Sequence, residues 1–500
     1  MKNKNIWILL AIFFIVLSIR VIFAFQTPYF EDSESYTTLR EVENLKDNYW
    51  IPVIKDELSY GGNEYFILPV FHYILAFFSL FLPLEVVGKI IPNILAASLV
   101  FPLFLFVRNM TKNNNIALFT TFIASFTPIF IFQTVNSVSK YSLIAPLFVF
   151  LMYLFQQINI KKRPLPFIIL LLLYIFTDFS VIILVLSIIL YLLFAWTEGL
   201  KIKKREIELI LFSIFITFFI YIIFFKDYII ERGVGIIYGN IPTGKLELYF
   251  SDINIISIIV GIGIIPLLTS VIISFMYFSK KKKKSVYLPM SIGFMVALLL
   301  FFKIIPITQG LILLGIMAVI LFGEFLDFLI NYLKKTKFSK YNWSLYIIIS
   351  ILILLTSILP AINSAALAME QSPKEEFIKT LERLKETTPK DSMIATAPET
   401  GSITAYFAER KNVMDTNYFY GKDVNERYED LRRIYTSTIS INAIQVMEKY
   451  GISHIMVDKN AKDKYNITDL SYATENCFPI AEESKNIKVY KRTCFLSKNE

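Results

Sequence analysis

Glu31, Asp32 and Glu34 place three carboxylates in four residues, within the run Glu31-Asp32-Ser33-Glu34-Ser35-Tyr36-Thr37-Thr38-Leu39-Arg40. Like charges this close repel unless a cation, a proton or a phosphate-bearing partner joins them. A carboxylate beside apolar walls and a second charge is also poised to shift its pKa, which suits a base or a group that positions an acceptor. The competing reading is a hydrated loop that is acidic by chance. The residues alone leave the two level. Their place in the chain is what singles them out: they follow the apolar segment 6–25 and open a polar loop that continues to about Tyr65.

The elements that must position this loop are membrane helices. The chain has 500 residues, 55% of them hydrophobic and 16% aromatic, and many apolar runs reach the roughly 20 residues that a bilayer crossing takes. A net charge of +9 would suit nucleic acid, but the basic residues stand in short clusters between apolar runs. That is the positive-inside pattern, so the expected partner is a lipid bilayer and not nucleic acid. The opening Met-Lys-Asn-Lys-Asn leads into a long apolar stretch with no small-residue cleavage site, which predicts a retained first helix. Candidate spans are 6–25, 89–107, 116–132, 141–157, 164–177, 179–197, 207–225, 253–278, 286–302, 311–329 and 343–362.

The run 66–82, interrupted by Pro69 and His72, is decided by parity. If it does not span, six basic clusters share one side: Lys2/Lys4, Arg108/Lys112, Lys161-Lys162-Arg163, Lys201/Lys203/Lys204/Arg205, Lys280 to Lys284, and Lys334/Lys335/Lys337/Lys340. A helix at the outer interface, or a re-entrant element, is therefore expected there. The result is 11 predicted spans in a multi-pass cell-membrane protein, N-terminus cytoplasmic and C-terminal region extracytoplasmic. Few cations fall in the outer loops, and each is informative: Arg40, Lys140, Arg232, Lys245 and Lys303.

After about Asn363 the composition becomes that of a soluble domain. Helices are expected at 373–387, 402–409, and near 425–435 and 440–450, with strands at 392–397, 453–458 and near 487–492. The predicted fold class is an α-helical polytopic membrane protein, residues 1–362, followed by an extracytoplasmic α/β domain, 363–500. The two cysteines, Cys477 and Cys494, exclude a disulfide-rich scaffold or a zinc site. They flank a stretch that can fold as a hairpin, and a disulfide is chemically allowed outside the cell. Asn466-Ile467-Thr468 is a glycosylation sequon in the same domain.

One helix, an acidic outer loop with an interfacial helix, many spans and an outer α/β domain: this order resembles the GT-C membrane glycosyltransferases. The resemblance is greatest to the catalytic subunit of oligosaccharyltransferase in its single-subunit archaeal form. Asp32-Ser-Glu34-Ser-Tyr36-Thr-Thr-Leu-Arg40 is similar to that family's first-loop motif, with Glu34 at the catalytic acid position. Leu58-Ser59-Tyr60-Gly61-Gly62 and Pro69-Val-Phe-His72-Tyr73 also look like archaeal members. Three stretches depart. Asn136 to Ser142 carries Lys140 and Ser142 where the family has a metal-binding acidic pair. Ala397-Pro398-Glu399-Thr400-Gly401 stands where the family grips its acceptor with Trp-Trp-Asp, and Tyr228-Ile-Ile-Glu231 only loosely matches the glutamate motif.

The resemblance implies transfer of a sugar or oligosaccharide from a polyprenyl-phosphate or pyrophosphate carrier, such as a dolichol phosphate, to an outer-face protein, glycan or lipid acceptor. Such chemistry needs an acceptor base, positive charge on the leaving phosphate and exclusion of water. Glu34, assisted by Asp32, takes the first role. Lys303, Lys140 and Arg40 are candidates for the donor phosphate. Lys303 can instead simply snorkel to the interface, and Arg40 can brace the loop through Glu43 or Asp32. Glu399, Glu231 and Arg232 are candidate acceptor contacts, with Asp415 and Asn417 as neighbours of Glu399. An ordinary strand-to-helix turn competes at 398–401.

Lys140 in place of a metal-ligating acid could pair with Asp32 or Glu34 and do part of the metal's electrostatic work. Weak or no dependence on Mn²⁺ or Mg²⁺ is therefore expected, as in the related protein O-mannosyltransferases; a metal, if used, would sit at Asp32 and Glu34. His72 and Asp178 have plain readings, an interfacial histidine and a turn residue. The alternatives are transfer of a single sugar to a hydroxyl, and an inactive relative that binds lipid-linked sugar.

Overall fold

The computed structural model describes residues 3–249, 254–279, 283–336 and 342–496. Lys2, Lys280 to Lys282, Lys337 and Lys340 of the basic clusters lie outside them, as does residue 253 at the head of one expected span. The chain divides into two compact units. One comprises Met1–Pro28, Leu68–Lys226 and Phe250–Glu370; the other comprises Tyr29–Ile67, Asp227–Tyr249 and Gln371–Glu500.

The first unit is helical and makes the chain a multi-pass membrane protein. Among the described residues, seven helices are long and apolar enough to cross a membrane, and two bent helix pairs bring the number to nine. The two expected spans that fall short as single helices are Leu165–Ile175 and Val181–Thr197. The expected span 253–278 is not straight. Ile255–Ile262 and Ile264–Ser279 meet at 84°, and the residue between them is Gly263 with φ +100, a conformation side-chain-bearing residues avoid. Asn114–Ser125 and Pro128–Val135 bend by 51°, because a proline cannot continue the helical hydrogen-bond ladder. The expected interfacial helix 66–82 is the shorter Val70–Phe78. Residues Asn63–Phe66 before it are a strand, and nine helical residues reach only about 13 Å, too little for a crossing.

The second unit is built on a five-stranded sheet. Its strands β3 (Met393–Ala395), β4 (Lys411–Asn412), β5 (Ile452–Val457), β6 (Ile480–Ser484) and β7 (Ile487–Lys491) follow β1 (Val53–Asp56) and β2 (Asn63–Phe66), which form a separate antiparallel hairpin. The order across the large sheet is β4-β3-β5-β7-β6. β3 is parallel to β4 and β5, and β7 is antiparallel to β5 and β6. Helices Glu375–Thr387, Pro398–Phe407, Val424–Thr436, Ser440–Tyr450 and Lys459–Tyr465 accompany the sheet. Alternating strand and helix periods bury one continuous core that includes Ala395, Leu431, Ile434, Met447, Ile455 and Val457. Tyr60 from the first polar loop belongs to that same core. Cys477 and Cys494 are joined by a disulfide across the β6–β7 hairpin.

Candidate active site

Helix Ser33–Asp47 carries the acidic run, and its start explains part of it. Asp32 is the N-cap: its carboxylate accepts from the Ser35 backbone N–H at 3.1 Å and from the Ser35 hydroxyl. A cap of this kind satisfies donors that the first turn leaves unpaired. Glu34 stands exposed in that first turn, where the helix dipole favours a negative charge. The turns that follow are buried on the side that carries Tyr36, Thr37, Leu39 and Val42.

That face packs on helix Pro398–Phe407. Thr37 Oγ1 donates to Ser402 Oγ at 2.6 Å, and the Tyr36 ring lies 5.4 Å from that of Tyr406 and 5.3 Å from that of Phe407. The helix begins at Pro398, earlier than the expected 402, because proline suits a first helical turn that has no use for its missing N–H. Gly401 is needed for the approach: a Cβ there would come within 2.5 Å of the Met414 carbonyl oxygen. Glu34 lies one turn before Thr37, and Glu399 one turn before Ser402. On each helix the carboxylate and the contact residue therefore share a face.

A buried polar network holds the loop in place. Arg40 pairs with Asp56, both nearly excluded from solvent. Asp56 also accepts from the backbone N–H groups of Leu58 and Ser59 at 3.0 and 3.3 Å. Ser59 Oγ donates to Asp415 at 2.6 Å, which in turn accepts from the Asn417 N–H at 2.9 Å. The Tyr60 hydroxyl donates to the Asp415 carbonyl at 3.0 Å. Burial pushes the Asp415 carboxyl above the usual aspartate range, against the pull of Ser59 and Arg40. Two expectations are corrected here. Arg40 braces the loop through Asp56, not Glu43 or Asp32, and is buried. Asp415 is wholly buried, so it cannot touch an acceptor.

Glu399 sits in a clamp of two ammonium groups. Lys464 Nζ is 2.8 and 3.0 Å from its two oxygens, and Lys245 Nζ lies 3.4 Å away. Burial alone would raise the Glu399 carboxyl; the two lysines hold it below its ordinary value. Lys245 also donates to the Tyr418 hydroxyl at 3.3 Å. Burial, then the charges of Glu399, Tyr428, Asp415 and Glu34, push the Tyr418 phenol far up, so Glu34 is within electrostatic reach of this cluster. Glu231 pairs with Arg232 at 3.1 Å. Arg232 donates to the Tyr420 carbonyl at 3.2 Å, and its side chain is largely buried.

Lys140 and Lys303 belong to the membrane unit. Lys140 Nζ is 2.6 Å from Asp178, and Asp178 accepts from the Ser180 N–H at 2.8 Å and lies 3.4 Å from Gln309 Nε2. Asp178 is therefore a turn residue and also a buried counter-ion, which a lone acid between two apolar runs could have signalled. Lys303 closes helix Lys284–Phe301 in a left-handed conformation, φ +57. His72 Nδ1 lies 3.2 Å from the Leu68 carbonyl oxygen, a local contact. Among the described residues no three of His, Cys, Asp or Glu gather as metal ligands would, and Asp32 is engaged as a cap. Lys464 and Tyr418 went unnoticed in the sequence, where nothing distinguishes them from surface residues.

No protein-family model matches the chain, and no curated protein matches it. Solved structures do. The apo oligosaccharyltransferase of Archaeoglobus fulgidus superposes with TM-score 0.68 at 12% identity, over 92% of this chain and 70% of that one. The same archaeal enzyme in complex with an inhibitory peptide and a dolichol-phosphate gives 0.68 at 13% identity, with the same coverage. ArnT from Cupriavidus metallidurans bound to undecaprenyl phosphate gives 0.55 at 10% identity, over 98% of both chains. At these identities the likeness is one of fold alone, the GT-C architecture of those structures.

Proposed function

We propose that the chain is a membrane glycosyltransferase that takes its sugar from a polyprenyl-phosphate or pyrophosphate carrier. The observation that carries this is the seating of the acidic helix Ser33–Asp47 on helix Pro398–Phe407 through Thr37 and Ser402, in a chain of GT-C fold. Support for the donor class comes from the dolichol-phosphate and undecaprenyl phosphate held by two of the structures it resembles. In the step, the bond between the anomeric carbon and the carrier's phosphate oxygen breaks. A new bond forms to an acceptor oxygen or nitrogen, whose proton passes to Glu34. Asp32 sets the helix end that presents Glu34. Glu399 with its two lysines is the proposed acceptor contact. No step is routed through a divalent ion.

A second reading, transfer of a single sugar from a polyprenyl monophosphate to a hydroxyl, draws on the match in length to ArnT, 98% of each chain. Purified protein in lipid nanodiscs, given a polyprenyl-linked sugar donor and candidate acceptors, tests both. Glu34→Gln is expected to lower transfer by about 10²–10⁴-fold while donor binding persists. Unchanged transfer by that variant would overturn the assignment of Glu34, and binding without any transfer by the native protein would make the chain a lipid-linked-sugar binder.

A further inference from the structure

The loop that joins helix Ser33–Asp47 to strand β1 presents a contiguous run of exposed apolar side chains, the kind of patch that marks a contact surface. Tyr49 is 87% exposed, Ile51 51%, Val53 47% and Trp50 37%. The backbone takes an unusual course to present them. Tyr49 and Trp50 stand at φ +54 and +65, the left-handed region that bulky residues avoid. The loop is nonetheless firmly set. The Trp50 N–H donates to the Leu45 carbonyl at 2.9 Å and the Ile51 N–H to the Asn48 carbonyl at 3.0 Å, while the Asn48 amide donates to the carbonyls of Ile51 and Val53. Strain held in place by its surroundings points to a role for the residues it presents.

The course of the chain indicates what such a surface meets. Pro52 accepts from the Ile67 N–H at 3.1 Å, and Ile67 is the last residue before the chain returns to the membrane unit at Leu68. Val53 pairs with Phe66 in the hairpin, and the Phe66 N–H donates to the Tyr228 hydroxyl at 3.2 Å. Tyr228 belongs to helix Lys204–Arg232, three residues past the apolar stretch 207–225, or about 5 Å along the axis. The headgroup layer on each side of the hydrocarbon is roughly 5–7 Å thick. Charge is partitioned to match. Farther along the hairpin stand Lys55 and Glu57, ion-paired at 3.3 Å, and Glu64 opposite Lys55. A tyrosine and a tryptophan with apolar neighbours, and charge only beyond them, is the composition of a bilayer interface. We infer that residues 49–53 are an interfacial anchor, seated among the lipid headgroups where helix Lys204–Arg232 leaves the bilayer. The anchor directly follows the helix that carries Glu34 and fixes its far end against the lipid surface, whatever reaction that helix serves.

Cys477 and Cys494 are paired, so a single added cysteine takes a bimane label alone. Full-length Tyr49→Cys, Ile51→Cys and Glu57→Cys, each in phosphatidylcholine nanodiscs with and without a headgroup-nitroxide lipid, are compared by fluorescence. Glu57 lies four residues along the hairpin from Val53, about 13 Å away, and serves as the aqueous reference. The nitroxide lipid is expected to remove roughly half of the emission at residues 49 and 51 and little at residue 57, since interfacial rings sit at headgroup depth. Tyr49 is the most exposed of the four and gives up little packing to cysteine, so its label decides the matter if Ile51→Cys does not fold. Emission at residue 49 as insensitive as that at residue 57 would overturn the anchor and leave the patch to a soluble partner. Equal strong quenching at residues 49 and 57 would lay the whole hairpin on the membrane, and it would overturn the assignment to 49–53 as well.

Discussion

Asp56 has one charged partner of consequence, the buried Arg40, and two backbone N–H donors. Removing it leaves a guanidinium uncompensated inside the protein, so Asp56→Ala is expected to cost about 3–5 kcal/mol, measured by denaturant unfolding of the extramembrane unit in the intact protein. Asp415 makes a prediction of another kind. Burial raises its carboxyl above the value in the unfolded chain, so the native state binds the extra proton between about pH 4 and the raised value. The stability it contributes is thus full at low pH and is lost as pH rises through the folded value. Asp415→Asn removes that titration, and a plot of unfolding free energy against pH should slope less steeply in this window than for the native chain. An unchanged slope would mean that other groups set it. Neither residue stood out beforehand except as a neighbour of Glu399: Lys55-Asp56-Glu57 has the composition of any hydrated loop, and its role comes from a partner 16 residues away in sequence.

The long apolar runs and the strand–helix alternation were legible because each is a property of a window of residues. The long-range pairings were not. The β1–β2 hairpin has the alternation that buries Ile54 and Tyr65, but its strands are four residues each and polar at half their positions, too short for periodicity to separate them from loop. Strand β4 is shorter still, two residues whose pairing with β3 exists only in the folded sheet. The bend at Gly263 shows the opposite case, a single residue whose permissive backbone overrides an otherwise continuous apolar window. Of the candidate site, the acidic run was readable as a motif of a resembled family, and Glu399 as the carboxylate standing where that family's acceptor motif departs. The lysine clamp on Glu399 was not, because Lys245 and Lys464 meet it from 154 and 65 residues away. The disulfide belongs to this scale too. It closes a loop of 17 residues across the β6–β7 hairpin, and constraining the unfolded chain by such a loop contributes about 2–4 kcal/mol. Cys477→Ser with Cys494→Ser should lower the unfolding temperature of the extramembrane unit, and reductant should reproduce the shift in the native protein alone.

Across the whole chain, the number of crossings decides where each unit's chemistry takes place. Among the described residues, seven long helices, two bent pairs and the two shorter helices Leu165–Ile175 and Val181–Thr197 make an odd number if each crosses once. An odd number puts the two ends of the chain on opposite faces. The positive-inside expectation for the lysines and arginines between helices would put them on the cytoplasmic side. Lys283 and Lys284 bear on it further. They reach buried Glu324 and Glu206 at 2.6 Å, so the basic start of helix Lys284–Phe301 is tied to helices Lys204–Arg232 and Ile307–Leu333. Under the proposed function and this orientation, a carrier lipid whose sugar is used on the outer face would meet Glu34 and Glu399 there, and the C-terminal disulfide would form in an oxidising compartment. Single cysteines at two exposed positions test this directly, since Cys477 and Cys494 are already paired. With a membrane-impermeant maleimide, Lys485→Cys should be labelled on intact cells, and Arg163→Cys only after the membrane is opened. Labelling of both on intact cells, or of Arg163→Cys alone, would place the acidic loop and the α/β domain on the cytoplasmic side or break the parity, and a transferase working on exported acceptors could not be built on either result.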